Sequence, residues 1–255
     1  MIRIKSILVA LAFLTIILYG CSTNPNPKYK FDLCNYKDLP VSEETYDVSI
    51  EDLNTSLSLY ATTIDERFED YTSLTDEIVK EHFGYNTVFE FKEYVLKEII
   101  THRIVDSIYE KILTESRVSL RDEAEFDDYY KRRLFTIEQE AKSEKTDINN
   151  YIKENKNMSI SEFKEDECSF FVTILILKEI LKSESASIPQ QDIDNTRSTI
   201  SSEMGFSLEE SYQYILDEDI FYSLAETKMY DFIPQWYKAT IDDAFYNVRS
   251  KLNFS

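Results

Sequence analysis

The chain is short of the residues that make turns, with three glycines and five prolines in 255 residues. Those two residues supply the backbone angles that tight turns require. Their scarcity argues against a β-sandwich and against an α/β enzyme built on tight phosphate loops. Cysteine is scarce as well: three residues, with no CxxC and no metal-ligand spacing. Only His82 and His102 offer imidazoles. There is no phosphate loop, no GxSxG and no HExxH. Positive charge is also in deficit, 28 Lys and Arg against 48 Asp and Glu, for a net of −20. That balance argues against nucleic acid and against docking on an anionic lipid surface. The expectation is a protein that is not an enzyme, with no catalytic residues, no metal site and no cofactor.

What the chain does have begins at its amino end. Arg3 and Lys5 precede an apolar run from Ile7 to Leu18, broken only by Thr15, and Leu18-Tyr19-Gly20-Cys21 follows. The run is shorter than the roughly 20 residues a bilayer-spanning helix needs, and it has the size and flanks of a secretory signal. Its ending resembles a bacterial lipobox. That resemblance implies a signal peptide over 1–20, acylation of Cys21 (palmitate among the lipids), and a mature protein anchored in the cell membrane on its extracytoplasmic side. An uncleaved signal anchor is the alternative. Residues 21–35, rich in proline and asparagine, read as a flexible tether to a domain over 36–255. Removing residues 1–20 takes away two basic side chains and leaves a net charge of −22. Cys34 and Cys168 remain; they could pair in an oxidising compartment, or Cys168 could be a buried free thiol.

A hydrophobic content of 43% is enough for a core. Capping residues and 3.6-residue periodicity predict an all-α fold. A helix starts near Ser49 and carries Leu53, Leu57 and Tyr60. Thr75 caps the next, which Gly84 stops. Thr87 and Glu90 have capping-box spacing and open the longest helix, over 88–115. It carries two apolar stripes, one through Phe91, Val95 and Ile99, the other through Leu96, Ile100 and Ile104. Two stripes require neighbours on both sides, making this helix a spine. Ser119 is expected to cap a helix running to about Ser143, whose stripe passes through Tyr130, Leu134, Ile137 and Ala141 and whose other faces are densely charged. A short helix covers 147–154. Ser159 with Glu162 opens a helix to about Lys182, containing the apolar run 170–181 that reads as buried core. Pro189 opens another, stopped by Gly205. Ser207 with Glu210 then opens one in which Leu208, Tyr212 and Ile215 share a face. A helix over 219–232 ends before Pro234, and a final helix follows.

The segment LTDEIVKEHFGYNTVFEFKEYVLKEI, residues 74–99, resembles the opening of the C-terminal domain of trigger factor. Residues 204–233, MGFSLEESYQYILDEDIFYSLAETKMYDFI, resemble that family's last arm helices. Residues 35–57 resemble its linker. The resemblance implies an elongated helical body with a long spine and two projecting arms, from 119–182 and 188–233, similar to the chaperone module of SurA. Nothing matches the ribosome-binding domain. Only about Ser58–Ser73 stands where the family carries its prolyl isomerase, so ribosome docking and isomerase activity are not carried over. What the resemblance implies is a lipid-anchored, ATP-independent holdase, in protein folding or transport, whose partners are unfolded or newly secreted polypeptides. A surface module with one dedicated partner is the alternative.

With 18 tyrosines and 16 phenylalanines, the chain has ample weak, sequence-tolerant contact area. The candidates for client contact are Tyr129 and Phe135 on the first arm and Tyr214 and Tyr222 on the second. Packing between helices is the competing role for each of them. His102 falls on an apolar-facing side of the spine.

Overall fold

The computed structural model describes residues 28–65, 68, 70–120 and 123–252. Cys21, the signal peptide and the expected tether up to residue 27 lie outside the described residues. Of those described, 76% are helical and 4% lie in strands, so the fold is all-α in its main architecture.

The elements in order are β1 (Tyr29–Asp32), α1 (Glu43–Tyr46), α2 (Ile50–Ile64), α3 (Asp76–Phe83), α4 (Val88–Glu115), β2 (Arg117–Leu120), α5 (Ala124–Ser143), α6 (Ile148–Lys156), α7 (Ile160–Ser183), α8 (Gln190–Met204), α9 (Leu208–Tyr214), α10 (Asp217–Trp236) and α11 (Lys238–Lys251). The expected punctuation is there. Ser49, Thr75, Thr87, Ser159 and Ser207 each accept a backbone N–H in the first turn they precede. Gly84 and Gly205 end α3 and α8 at φ +79° and +74°, in the left-handed region where a Cβ is disfavoured.

The spine is α4, with the bounds its caps predict. Phe91, Val95, Leu96, Ile100, Ile104, Ile108 and Ile112 along it are fully buried. Helices α2 and α3 pack against it, as do α10 and α11. This main core also takes Ile174, Ile176, Leu177, Ile180 and Leu181 from the apolar run of α7. Each such side chain contributes about 1.5–3 kcal/mol on burial, which is why a helix with two stripes organises the body. Two smaller clusters extend outward along α5 and α7. One joins Phe126, Tyr129, Phe171, Leu175 and Leu216; the other, with Ile137, Ala141, Ile152 and Phe163, unites α5, α6 and α7.

Three expectations are corrected. Residues 29–32, read as tether, pair antiparallel with β2, Tyr29 opposite Leu120 and Phe31 opposite Val118. The alternation of Tyr29 and Phe31 with Lys30 and Asp32 gives this strand one face to pack on the second cluster. Ser119 therefore lies in β2, and α5 begins at Ala124. Pro234 lies inside the last turn of α10 rather than beyond its end. The buried Ile233 and Tyr237 hold the chain helical around it, although proline has no N–H to donate there. Of the two alternatives left open for Cys34 and Cys168, the free thiols are found, both half-buried.

The two arms do not stand apart as the resemblance implies. Helix α5 of the first touches α9 of the second. Arg197 of α8, itself buried, donates to the Ile215 carbonyl at 2.7 Å and pairs with Asp217. It thereby fixes the α8–α9 hairpin to the start of α10, with a positive charge at the carboxyl end of α9 where the helix dipole favours it.

Candidate functional site

The surface offers open apolar grooves. One runs between α2 and α4, with a volume of about 460 Å³. Leu59 and Tyr60 of α2 form one wall; Val95 and Ile99 of α4 form the other. Leu59 is 64% exposed despite its aliphatic side chain. The groove exists because α2 buries Leu53, Leu57 and Ala61, which turns Leu59 off the packing face. At its rim His102 is exposed, not facing the core as its stripe suggested. Arg103 is held beside it by Asp52 at 3.2 Å. Close by, Phe83 stacks on Phe91 with centroids 4.5 Å apart, and Tyr60 meets both edge-on. This aromatic layer makes one end of the groove stiff.

A second groove, about 660 Å³, lies between α5 and α6, lined by Leu134, Phe135, Ala141 and Ile148 with Lys131 and Lys142 at its edges. Phe135 is 49% exposed there. A third apolar surface lies on the second arm, where Met204, Leu208 and Tyr212 are each more than half exposed. The shared face of α9 read from the sequence thus points largely to solvent. Tyr212 lies under the Arg197 guanidinium, 4.2 Å from its ring centre.

The four aromatics proposed for client contact do not form one surface. Phe135 is exposed and lines a groove, as a contact residue must. Tyr129 is fully buried, a correction: it stacks on Phe171 at 5.3 Å and its hydroxyl donates to Glu167. Tyr214 is half-buried and stacks on Phe206 at 5.2 Å. Tyr222 is half-buried too, against Phe170 at 5.2 Å, with its hydroxyl donating to Glu226 at 3.1 Å. Residues that the sequence reading missed include Leu59, Ile50 and Met204. The signal that could find Leu59 is its offset from the Leu53, Leu57, Ala61 stripe.

Between the arms lies a cluster of charge. Arg133 of α5, its side chain 13% exposed, donates to Glu167 of α7 at 3.1 Å and to Asp219 of α10 at 3.0 Å. Arg132 meets Glu218. Asp219 and its neighbours hold the Arg133 guanidinium above its usual range, against the opposing effect of burial, and burial raises the Tyr129 hydroxyl. This is ion pairing that ties helices together; no nucleophile and base are set at reacting distance within it. Among the described residues no group of three or more His, Cys, Asp or Glu is placed to hold a metal ion. No helix of the described residues is long and apolar enough to cross a membrane. No family model, curated protein or solved structure matches the chain.

Proposed function

We propose that this protein is a lipid-anchored, ATP-independent chaperone of the extracytoplasmic space, a holdase for unfolded or newly secreted polypeptides, without prolyl isomerase activity and without a cofactor. The observation that carries the reading is the α2–α4 groove, where Leu59 stands 64% exposed beside Tyr60, Val95 and Ile99. A lone exposed leucine is ordinary, but here Leu59 borders an apolar groove with Tyr60, Val95 and Ile99, and contiguous apolar surface of that kind marks interaction sites. The groove at Phe135 and the exposed Met204, Leu208 and Tyr212 add apolar surface on both arms. Contacts of about 1 kcal/mol each give weak binding, with about four corresponding to the millimolar range and about eight to the micromolar, which suits a protein that must release its client. The net charge keeps copies apart and disfavours acidic clients. The lipobox-like ending at Cys21 and the likeness of residues 74–99 and 204–233 to trigger factor, both read from the sequence, support the same reading.

The second reading is a surface module with one dedicated partner. It is favoured by the ion pairs that tie the arms, which leave a defined surface rather than an adaptable one. A photo-crosslinking residue at position 59 separates the two. A holdase gives adducts with several unrelated unfolded proteins in vitro. A dedicated module gives none of these and one adduct in cells.

A further inference from the structure

Beneath the ion pairs between the arms lies an aromatic surface, of which Phe126 also borders an open groove beside Leu120 and Lys164. Phe126 and Tyr129 of α5 pack on Phe171 of α7, with centroids 5.8 and 5.3 Å apart. Among the fully buried members of this cluster the second arm contributes one residue, Leu216, 6% exposed at the corner between α9 and α10.

We propose that this contact is an autoinhibitory clasp over a cryptic binding surface. Leu216 occupies the place on the α5–α7 aromatics where an apolar side chain of an unfolded polypeptide would bind. The pairs Arg132–Glu218 and Arg133–Asp219 hold it there. The client rests on the chaperone reading; the clasp does not.

Three features make the clasp able to open. First, each arginine has a second carboxylate within its own arm: Arg132 lies 3.3 Å from Asp128, and Arg133 lies 3.1 Å from Glu167. Neither cation is stranded when the arms part, so the usual penalty for breaking a buried pair does not apply in full. Second, Glu218 and Asp219 sit in the first turn of α10, where the helix dipole stabilises them without arginine. Asp219 also accepts the Leu216 backbone N–H at 3.2 Å, which couples the corner carrying Leu216 to the carboxylate that Arg133 grips. Third, the closed form partly desolvates the Arg133–Asp219 pair, a cost that offsets part of its attraction. Opening uncovers Leu216 and part of the Phe126, Tyr129 and Phe171 surface, so the closed form dominates until a client that competes with Leu216 shifts the balance by its differential affinity.

The test breaks the pairs. In E218K/D219K, the amides of 208–219 should exchange hydrogen several-fold faster, and a hydrophobic dye should bind several-fold more, with helicity kept. The conservative variant E218D/D219E, which keeps both charges, should leave both readings near wild type. Should E218K/D219K lose its helicity, wild-type protein taken from low to molar salt decides, because screening should speed exchange over 208–219 in the same way. Unchanged exchange and dye binding in a folded E218K/D219K, or in wild type across the salt series, overturns the clasp. Faster exchange without added dye binding overturns the cryptic surface. Cysteine-blocked unfolded lysozyme serves as the client probe. If the opened protein binds dye but not this client, the chaperone reading fails while the clasp stands.

Discussion

Arg132 and Glu218, 86 residues apart in the chain, meet through two hydrogen bonds of 3.0 and 2.9 Å. Next to them Arg133 joins three helices at once. The two arginines differ in surroundings, and so should their variants. Arg132 is 45% exposed, and Arg132→Ala should cost about 0.5–1 kcal/mol. Arg133→Ala leaves Glu167 without its cation at a largely buried site, and about 3 kcal/mol is expected. Urea denaturation of both variants checks the ratio; equal losses would contradict it.

Tyr129 and Phe135 lie six residues apart on α5 and have opposite fates. Tyr129→Ser should cost about 3–5 kcal/mol, the range for deleting a buried aromatic ring. Tyr129→Phe removes the donor to Glu167 and should cost about 1 kcal/mol. Phe135→Ser should stay within about 0.5 kcal/mol of wild type while weakening client capture. Thermal melts and aggregation assays on the three variants settle the assignment.

Much of this fold is legible in the sequence because its signals are local. The bounds of α4 follow from Thr87 and from two stripes at helical spacing. The capping boxes at Ser159 and Ser207 fall where their residues predict. The two four-residue strands are not legible, because they are stabilised by each other and by Phe126, not by their own propensity. Arg132 and Arg133 read as part of a solvated face, since the run RDEAEFDDYYKRR gives no hint of carboxylates at 218 and 219. Tyr129 and Phe135 could not be told apart without knowing which face α7 covers.

Alkali should loosen the structure through two tyrosines. Burial and the Glu184 carboxylate at 2.7 Å push Tyr36 up to about 12. The hydrogen bond to Asp106 at 2.6 Å, with burial, does the same for Tyr230. Both have folded values above the unfolded value of about 10. Their stabilisation is full below about pH 10 and is lost as pH rises towards about 12. Melting temperature should fall across that window, and Tyr36→Phe with Tyr230→Phe should lessen the fall without removing it, since burial raises Tyr129 and Tyr151 as well.

Cys21→Ala should abolish incorporation of labelled palmitate and leave an unprocessed precursor. Unchanged labelling in that variant would remove the lipid anchor from the account.

The most direct measurement is aggregation suppression, by the soluble chain without its signal, on three unrelated unfolded proteins. The account predicts that wild type slows the aggregation of all three at micromolar concentration. It also predicts that Leu59→Asp with Phe135→Ser weakens this several-fold at unchanged helicity. No effect of wild type on any of the three would contradict the account.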